Sequence, residues 1–251
     1  MNTGLWLPRA IAMLLVVSLG ACASVPEDQG FAAQDPYENT NRKFHAFNVG
    51  LDRYVLRPAA QGYDVVAVGP LKSMIGNGFN HLALPGDFAN HLMQGEFRAA
   101  GRTLGRVILN TGLGMGGLLD PATEFGLPRE SNDFGVTLGK WGVSSGAYLV
   151  VPLLGPSSPR DLGGFAVDQA FSPTTYFGFV DAIPGGTGVA MTATERVDLR
   201  NQNADLIDEI LYESPDSYVT LRSIYLQRRQ ALVAGEDAEA LPDIFDDDPA
   251  Q

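Results

Sequence analysis

Cysteine is almost missing from this 251-residue chain: Cys22 is the only one. A lone thiol excludes an internal disulfide and any multi-cysteine metal site. Histidine is scarce as well. His45, His81 and His91 stand alone, none with a second ligand at helical i+4 spacing, so they read as surface or satisfied core residues. Lysine and arginine total 17 against 29 acids, a formal charge of −12 that lacks the basic footprint of a nucleic-acid binder. No G-x-x-x-x-G-K-[ST] occurs, so the chain is not expected to burn ATP itself. The apolar run at 10–19 (AIAMLLVVSL) has ten residues, against ~20 for a membrane-spanning helix.

That run follows Arg9 and leads into Leu19-Gly20-Ala21-Cys22, the layout of a secretory signal. The four residues resemble the bacterial lipobox, which implies acylation at Cys22 and removal of residues 1–21. At ~0.8 kcal/mol per buried CH₂, two or more acyl chains hold a protein on a membrane indefinitely. Ala23 stands in place of the aspartate that favours inner-membrane retention, and the resemblance to sorted lipoproteins implies the inner leaflet of the outer membrane. Residues 22–34 read as a tether. Seven acids and no lysine or arginine occupy the last sixteen residues, so 234–251 is expected to be a disordered acidic tail. Its DIFDDD run lacks the glycine and terminal glutamate of an EF-hand, and no metal is expected there.

Between tether and tail, 35–233 reads as one mainly helical domain, because long helical spacings occur without strand–helix alternation. Asp35-Pro36-Tyr37-Glu38 looks like a helix start. Phe44, Phe47, Leu51 and Tyr54 then mark one face, and Arg57-Pro58 marks the end. A second helix from Pro70 is expected to bury Leu71, Met74, Ile75 and Leu82 and to stop at Pro85-Gly86-Asp87. A third, over 87–109, places Met93, Phe97, Ala100, Leu104 and Val107 on a seam. Residues 110–165 are rich in glycine and proline and read as loops with short elements. The closing helices, 188–213 and 216–233, have inner faces at Val197, Leu206, Ile207, Ile210 and Leu211, and at Val219, Leu221, Ile224, Leu226 and Leu232.

Two motifs invite a chemical reading and fail their context. Gly142-Val143-Ser144-Ser145-Gly146 matches the G-x-S-x-G elbow of lipid hydrolases. That elbow needs a histidine downstream, and all three histidines precede Ser144. Residues 112–117 (GLGMGG) match G-x-G-x-x-G, yet Asp120-Pro121 follows too closely for the helix a dinucleotide fold requires. No catalytic residue is therefore assigned, and a Ser144/Ser145 hydrolase or acyltransferase stays as the alternative. Arg98, Arg102 and Arg106 recur every four residues, a pattern suited either to a solvated helix face or to phosphate contacts.

The stretches DPYENTNRKFHAFN (35–48), LNTGLGMGGLLDPA (109–122) and DFGVTLGKWGVSSGAYLVVPLLGPSSPRD (133–161) resemble the MlaA/VacJ lipoproteins, as does the last helix through YLQRR (225–229). Ala147 departs from the proline that often follows the glycine in this family. The resemblance implies a ring-like, membrane-embedded helical scaffold with Gly/Pro-rich loops around an amphipathic passage. Mislocalised phospholipids would leave the outer leaflet through it. The implied partners are phospholipid as cargo, an outer-membrane porin trimer, a soluble periplasmic carrier and, indirectly, an inner-membrane ABC transporter. No cofactor is implied beyond the acyl chains on Cys22. On that basis two loops are candidates for lining or gating the passage: Asn110, Thr111, Gly112, Gly114, Met115, Gly116 and Gly117 in one, and Phe134, Gly135, Leu138, Gly139, Trp141, Gly142 and Tyr148 in the other. Arg98, Arg102 and Arg106 are the head-group candidates. A third reading is a lipoprotein that only braces a porin.

Overall fold

In a computed structural model, residues 35–67, 69–172 and 187–235 are described. The signal segment, Cys22, the tether and the tail beyond Gly235 lie outside them. The domain is mainly helical. Helix α1 (Glu38–Leu51) passes through a π-helical turn (Asp52–Leu56) into α2 (Arg57–Val66). The expected stop at Arg57-Pro58 does not occur. Arg57 already donates its N–H five residues back to Asp52, so the wide turn absorbs the donor that Pro58 lacks. Asp35 does not cap α1 either. Its buried carboxylate accepts from Asn41 (2.8 Å), Arg222 (2.9 Å) and the Tyr218 hydroxyl, and Tyr37 stands at the cap position.

Helix α3 (Pro70–Met93) continues through Pro85, where the sequence suggested a stop. An interior proline costs ~3 kcal/mol. Here Asp87, Asn90 and His91 are buried just beyond it, and Asn90 donates to the Gly86 carbonyl (3.1 Å), so anchoring outweighs the break. Helix α4 (Phe97–Gly112), the short α5 (Pro121–Glu124) and α6 (Phe134–Lys140) follow. An antiparallel hairpin, β1 (Leu149–Val151) and β2 (Gly155–Ser157), sets Val150 opposite Pro156. Helices α7 (Pro159–Phe171), α8 (Thr187–Gln202), α9 (Ala204–Asp208) with a second π-helical turn (Glu209–Glu213), and α10 (Ser217–Ala234) complete the order.

The C-terminal helices pack apolar side inward. Ile207, Ile210 and Leu221 form one cluster with Leu206, Leu211 and Ile224, while Tyr148, Val150, Tyr218, Tyr225 and Leu226 form another. Val219, expected inside, faces outward. In α1 the relation is reversed. Asn41 and His45, with Asp52 of the π-helical turn, are buried on one face, while Phe44, Phe47 and the turn's Tyr54 point out, Tyr54 at 77 % exposure. Helix α4 repeats this, with Thr103, Arg106 and Asn110 inside and Phe97 (73 %), Leu104 and Ile108 (62 %) outside. The apolar stripes read from the sequence are real, but Phe44, Phe47, Tyr54, Leu71, Phe97 and Leu104 face away from the core.

The polar faces can turn inward because partners wait there, which removes most of the cost of burying them. Asp52 accepts from Arg200 (2.7 and 3.2 Å) and from the Tyr212 hydroxyl (2.6 Å). Arg106 pairs with Asp120 at 2.7 Å. Among the described residues, 18 apolar and 18 polar or charged ones are buried, and 24 large apolar side chains are exposed, so the core is no more apolar than polar. No described helix is long and apolar enough to cross a membrane.

Candidate functional site

A cavity of about 320 Å³ opens between α7, α8, α10, the hairpin and the segment before α6. Its size is at the lower end of the ~300–1,000 Å³ usual for small-ligand sites. Two capped helix starts position its wall. Asp133 caps α6 by accepting from the Val136 N–H (2.9 Å), and Ser158 caps α7 by accepting from the Asp161 N–H (3.1 Å). The two helices cross backbone to backbone. A Cβ at Gly164 would lie 2.3 Å from the Gly135 nitrogen, and one at Gly135 would lie 2.6 Å from Asp161 Oδ1. Only glycine fits at 164, where the clash is with backbone, whereas a side chain at 135 would push on the Asp133–Arg229–Asp161 cluster.

The wall is amphipathic by construction. Helix α7 contributes Asp161, Phe165 and Asp168 at spacings of four and three, plus Leu162. Helix α10 contributes Ile224, Arg228 and Leu232 at successive turns, with Tyr225 and Arg229 beside them; α8 adds Arg196, and the hairpin adds Leu154 and Pro156. Arg229 links the acids, reaching Asp133 at 2.5 and 2.9 Å and Asp161 at 2.8 Å. Burial pushes the Asp133 carboxyl up, but the Arg229 charge and hydrogen bonds outweigh it and hold the group below the usual carboxylate range. Asp168 behaves differently. Burial raises it to about 6, and the N–H of Phe134 and the amide of Asn90 offset that only in part.

The residues singled out from the sequence do not line this cavity. Gly135 lies behind the ionic cluster. Gly139 packs on Val233 and Arg160, and Tyr148 is buried in the aromatic core. Trp141 is half exposed, donates to the Met93 carbonyl (3.2 Å) and meets Phe134 edge-on; Leu138 accepts the Val143 N–H, and Gly142 turns the chain at φ 87°. In the other loop, Asn110 is buried, bridging Asp120 (2.8 Å) and the Ala122 N–H (3.1 Å). Thr111 meets His81 at 3.1 Å, and a Cβ at Gly117 would strike the His81 ring. Gly114 is buried against the Leu119 carbonyl, whereas Gly112, Met115 and Gly116 are exposed.

The arginines at 98, 102 and 106 do not form one rail. Arg106 is buried on Asp120, Thr123 and the Leu127 carbonyl, Arg102 pairs with Glu130 (2.7 Å), and Arg98 is exposed. Their spacing of four turns the stripe by about 40° each step on a 3.6-residue helix, so its C-terminal member swings into the core. Ser144 is exposed and its hydroxyl accepts only a local N–H, from Gly146 at 3.4 Å. Among the described residues the serine–histidine contact that does form is His45–Ser217 (2.8 Å). It packs at the start of α10, where Asp216 is engaged with Arg42 and with the N–H groups of Tyr218 and Val219. Sequence reasoning missed Asp133, Asp161, Asp168, Arg196, Arg228 and Arg229. The Leu/Ile–Arg alternation at 224–232 was the available signal.

The profile of the MlaA lipoprotein family matches residues 33–232. The chain is 33 % identical over 240 residues to the Haemophilus influenzae intermembrane phospholipid transport system lipoprotein MlaA, covering 92 % of this chain and 94 % of that one. To the Escherichia coli K12 protein of the same name it is 31 % identical, covering 90 % and 88 %. A solved structure from work on the maintenance of bacterial outer membrane lipid asymmetry superposes with a TM-score of 0.67 at 32 % identity, covering 79 % of this chain and 98 % of the other.

Proposed function

The chain belongs to the MlaA lipoprotein family, and from that premise we propose that it is an outer-membrane lipoprotein giving phospholipids an amphipathic passage out of the outer leaflet. The observation that carries the reading is the reversed amphipathicity of α1 and α4, together with a cavity that has both ionic and apolar walls. A helix that faces its apolar side outward and keeps its polar side paired inside is built for hydrocarbon surroundings. Among the described residues twenty-four large apolar side chains are exposed, including Leu113, Met115, Leu118 and Leu119 in the 110–119 loop. That loop is proposed as a lipid-facing edge.

In this reading Cys22 carries the acyl chains, and the domain sits as a ring in the outer membrane of a Gram-negative bacterium, open to the periplasm. A porin trimer flanks it. A soluble carrier takes the cargo onward to an inner-membrane ABC transporter. The protein moves lipid without making or breaking bonds in it, because head group and tails each need a matching track and no more. Exposing ~30 tail CH₂ groups to water would cost on the order of 25 kcal/mol. The test is complementation of a strain lacking the gene, with outer-leaflet phospholipid measured. The double substitution Ser144→Ala/Ser145→Ala is expected to restore asymmetry fully. Loss of function in that well-folded variant would support the hydrolase alternative.

A further inference from the structure

Among the described residues, two that are not glycine have a left-handed backbone, Met115 (φ 55°) and Leu153 (φ 70°). A Cβ makes that conformation unfavourable, and glycine is its usual occupant. Both residues are instead large and apolar, and both stand at loop tips with about two-thirds of their surface open, 66 % and 67 %. Glycine lies close to each, at 114 and 116 and at 155, yet not at the strained position. Strain of this kind persists only where the surroundings enforce it, and it gathers at functional positions.

The surroundings do enforce it. At the hairpin tip the Leu153 N–H donates to Asn48 Oδ1 (2.9 Å), and Asn48 Nδ2 donates to the Val151 carbonyl (3.0 Å), so a side chain of α1 clamps the turn. Around Met115, the N–H groups of Gly114 and Gly116 donate to the Leu109 and Thr111 carbonyls, both at 3.2 Å, and the Gly117 N–H donates to the Asn110 carbonyl (2.8 Å). These bonds tie the second tip to the end of α4. Each strained residue is therefore mounted on one of the two helices that turn their apolar faces outward.

Charge decides what covers them. Residues 107–119 and 141–159 contain no charged side chain, so each tip stands inside a long uncharged run. A protein–protein contact carries a polar rim around its apolar centre, whereas a segment that enters hydrocarbon has to omit charge altogether. Leu113, Leu118 and Leu119 near one tip, and Leu154 beside the other, are exposed as well. The pattern fits a lipid bilayer rather than a partner chain.

We propose that Met115 and Leu153 are insertion points, two apolar tips that enter the bilayer hydrocarbon and set the depth at which α4 and α1 sit. This rests on the membrane-embedded reading above and assigns the strained backbone a role in it.

The test uses the full lipidated chain in vesicles of phosphatidylethanolamine and phosphatidylglycerol, some of whose acyl chains carry bromine as a quencher. Cys22 is the only cysteine, and in the reading above its sulfur is acylated, so Met115→Cys and Leu153→Cys each supply one thiol for a fluorescent dye. The acyl anchor keeps every variant on the vesicle, and depth alone is read. Dye at either tip should be quenched roughly threefold more than dye at Gln227→Cys, an exposed position on α10. Met115→Gly/Leu153→Gly relieves the backbone at both tips and removes both side chains. In detergent it should melt no lower than the unsubstituted chain, while in vesicles quenching at Ile108→Cys falls by roughly half. Tips quenched no more than Gln227→Cys, with Ile108→Cys strongly quenched, overturn the insertion points and leave the membrane-embedded reading standing. Tips and Ile108→Cys all at the Gln227→Cys level overturn that reading as well. Quenching at one tip only keeps that tip and removes the other. A glycine pair that melts well below the unsubstituted chain, or that leaves quenching at Ile108→Cys unchanged, overturns the tips as depth setters.

Discussion

Helices α9 and α10 and the π-helical turn between them bury Ile207, Ile210, Leu221 and Leu226, whereas α1 with the turn after it, and α4, bury Asn41, Asp52, Arg106 and Asn110, and α4 exposes Phe97 and Ile108. Both regions have clear helical periodicity. They differ in which side of the period meets the core. The apolar stripe of a helix reports only that its two sides prefer different surroundings, and the partners decide which side turns in. In the C-terminal region the partners are other apolar helices. In the N-terminal region they are charges such as Arg200, which meets Asp52 with both side chains nearly sealed from solvent.

Removing one of those charges should have the largest effect. Asp52→Ala leaves Arg200 with only part of its pairing inside the core, and a buried pair broken on one side loses about 3–5 kcal/mol. Thermal unfolding in detergent should show a fall of many degrees. A loss below about 1 kcal/mol would mean that the polar core is not structural.

Asp168 gives a smaller effect with a definite sign. Its folded-state value of about 6 lies above the ordinary carboxylate value, so the folded chain holds a proton that the unfolded chain has already released. That contribution is fully present below about pH 4 and is lost as pH rises through 6, on the order of 2 kcal/mol after allowance for solvent. Asp168→Asn keeps an acceptor for Phe134 and Asn90 and should flatten this part of the pH–stability curve. An unchanged slope between pH 4 and 6 contradicts the assignment.

The smallest change in detergent is expected at Ile108. Replacing this exposed side chain by aspartate should move stability there by no more than about 0.5 kcal/mol, as for an ordinary surface site. In bilayer vesicles the same substitution should weaken insertion by roughly 2–3 kcal/mol, measured by flotation. Equal insertion would return α4 to the behaviour of α10 and erase the contrast between the two regions.

Much of the fold was legible in the sequence. Mainly helical content, the break at Ser214-Pro215-Asp216 and the inner face at Ile207, Ile210 and Leu221 follow from spacing and capping, and the structure has them. Pro58 and Pro85 misled because one adjoins a π-helical turn and the other is anchored by buried side chains just past it. Neither fact is local to the proline. The cavity was legible only as neighbourhood. Motif density drew attention to 134–148, which supports the wall, and to 110–117, which packs on His81 and Asp120 instead. The acids and arginines that line the wall sit on ordinary-looking helices far apart in the chain and meet only after folding.

The outward-facing hydrocarbon of α1 and α4 has a consequence for the life of the molecule before it reaches its final position. In water such a surface has no good resting state, and a freshly exported copy would bury it against another copy. Under the proposed membrane-embedded reading, delivery has to keep these flanks covered from synthesis until the bilayer takes over, and a copy released early would aggregate rather than wait in solution.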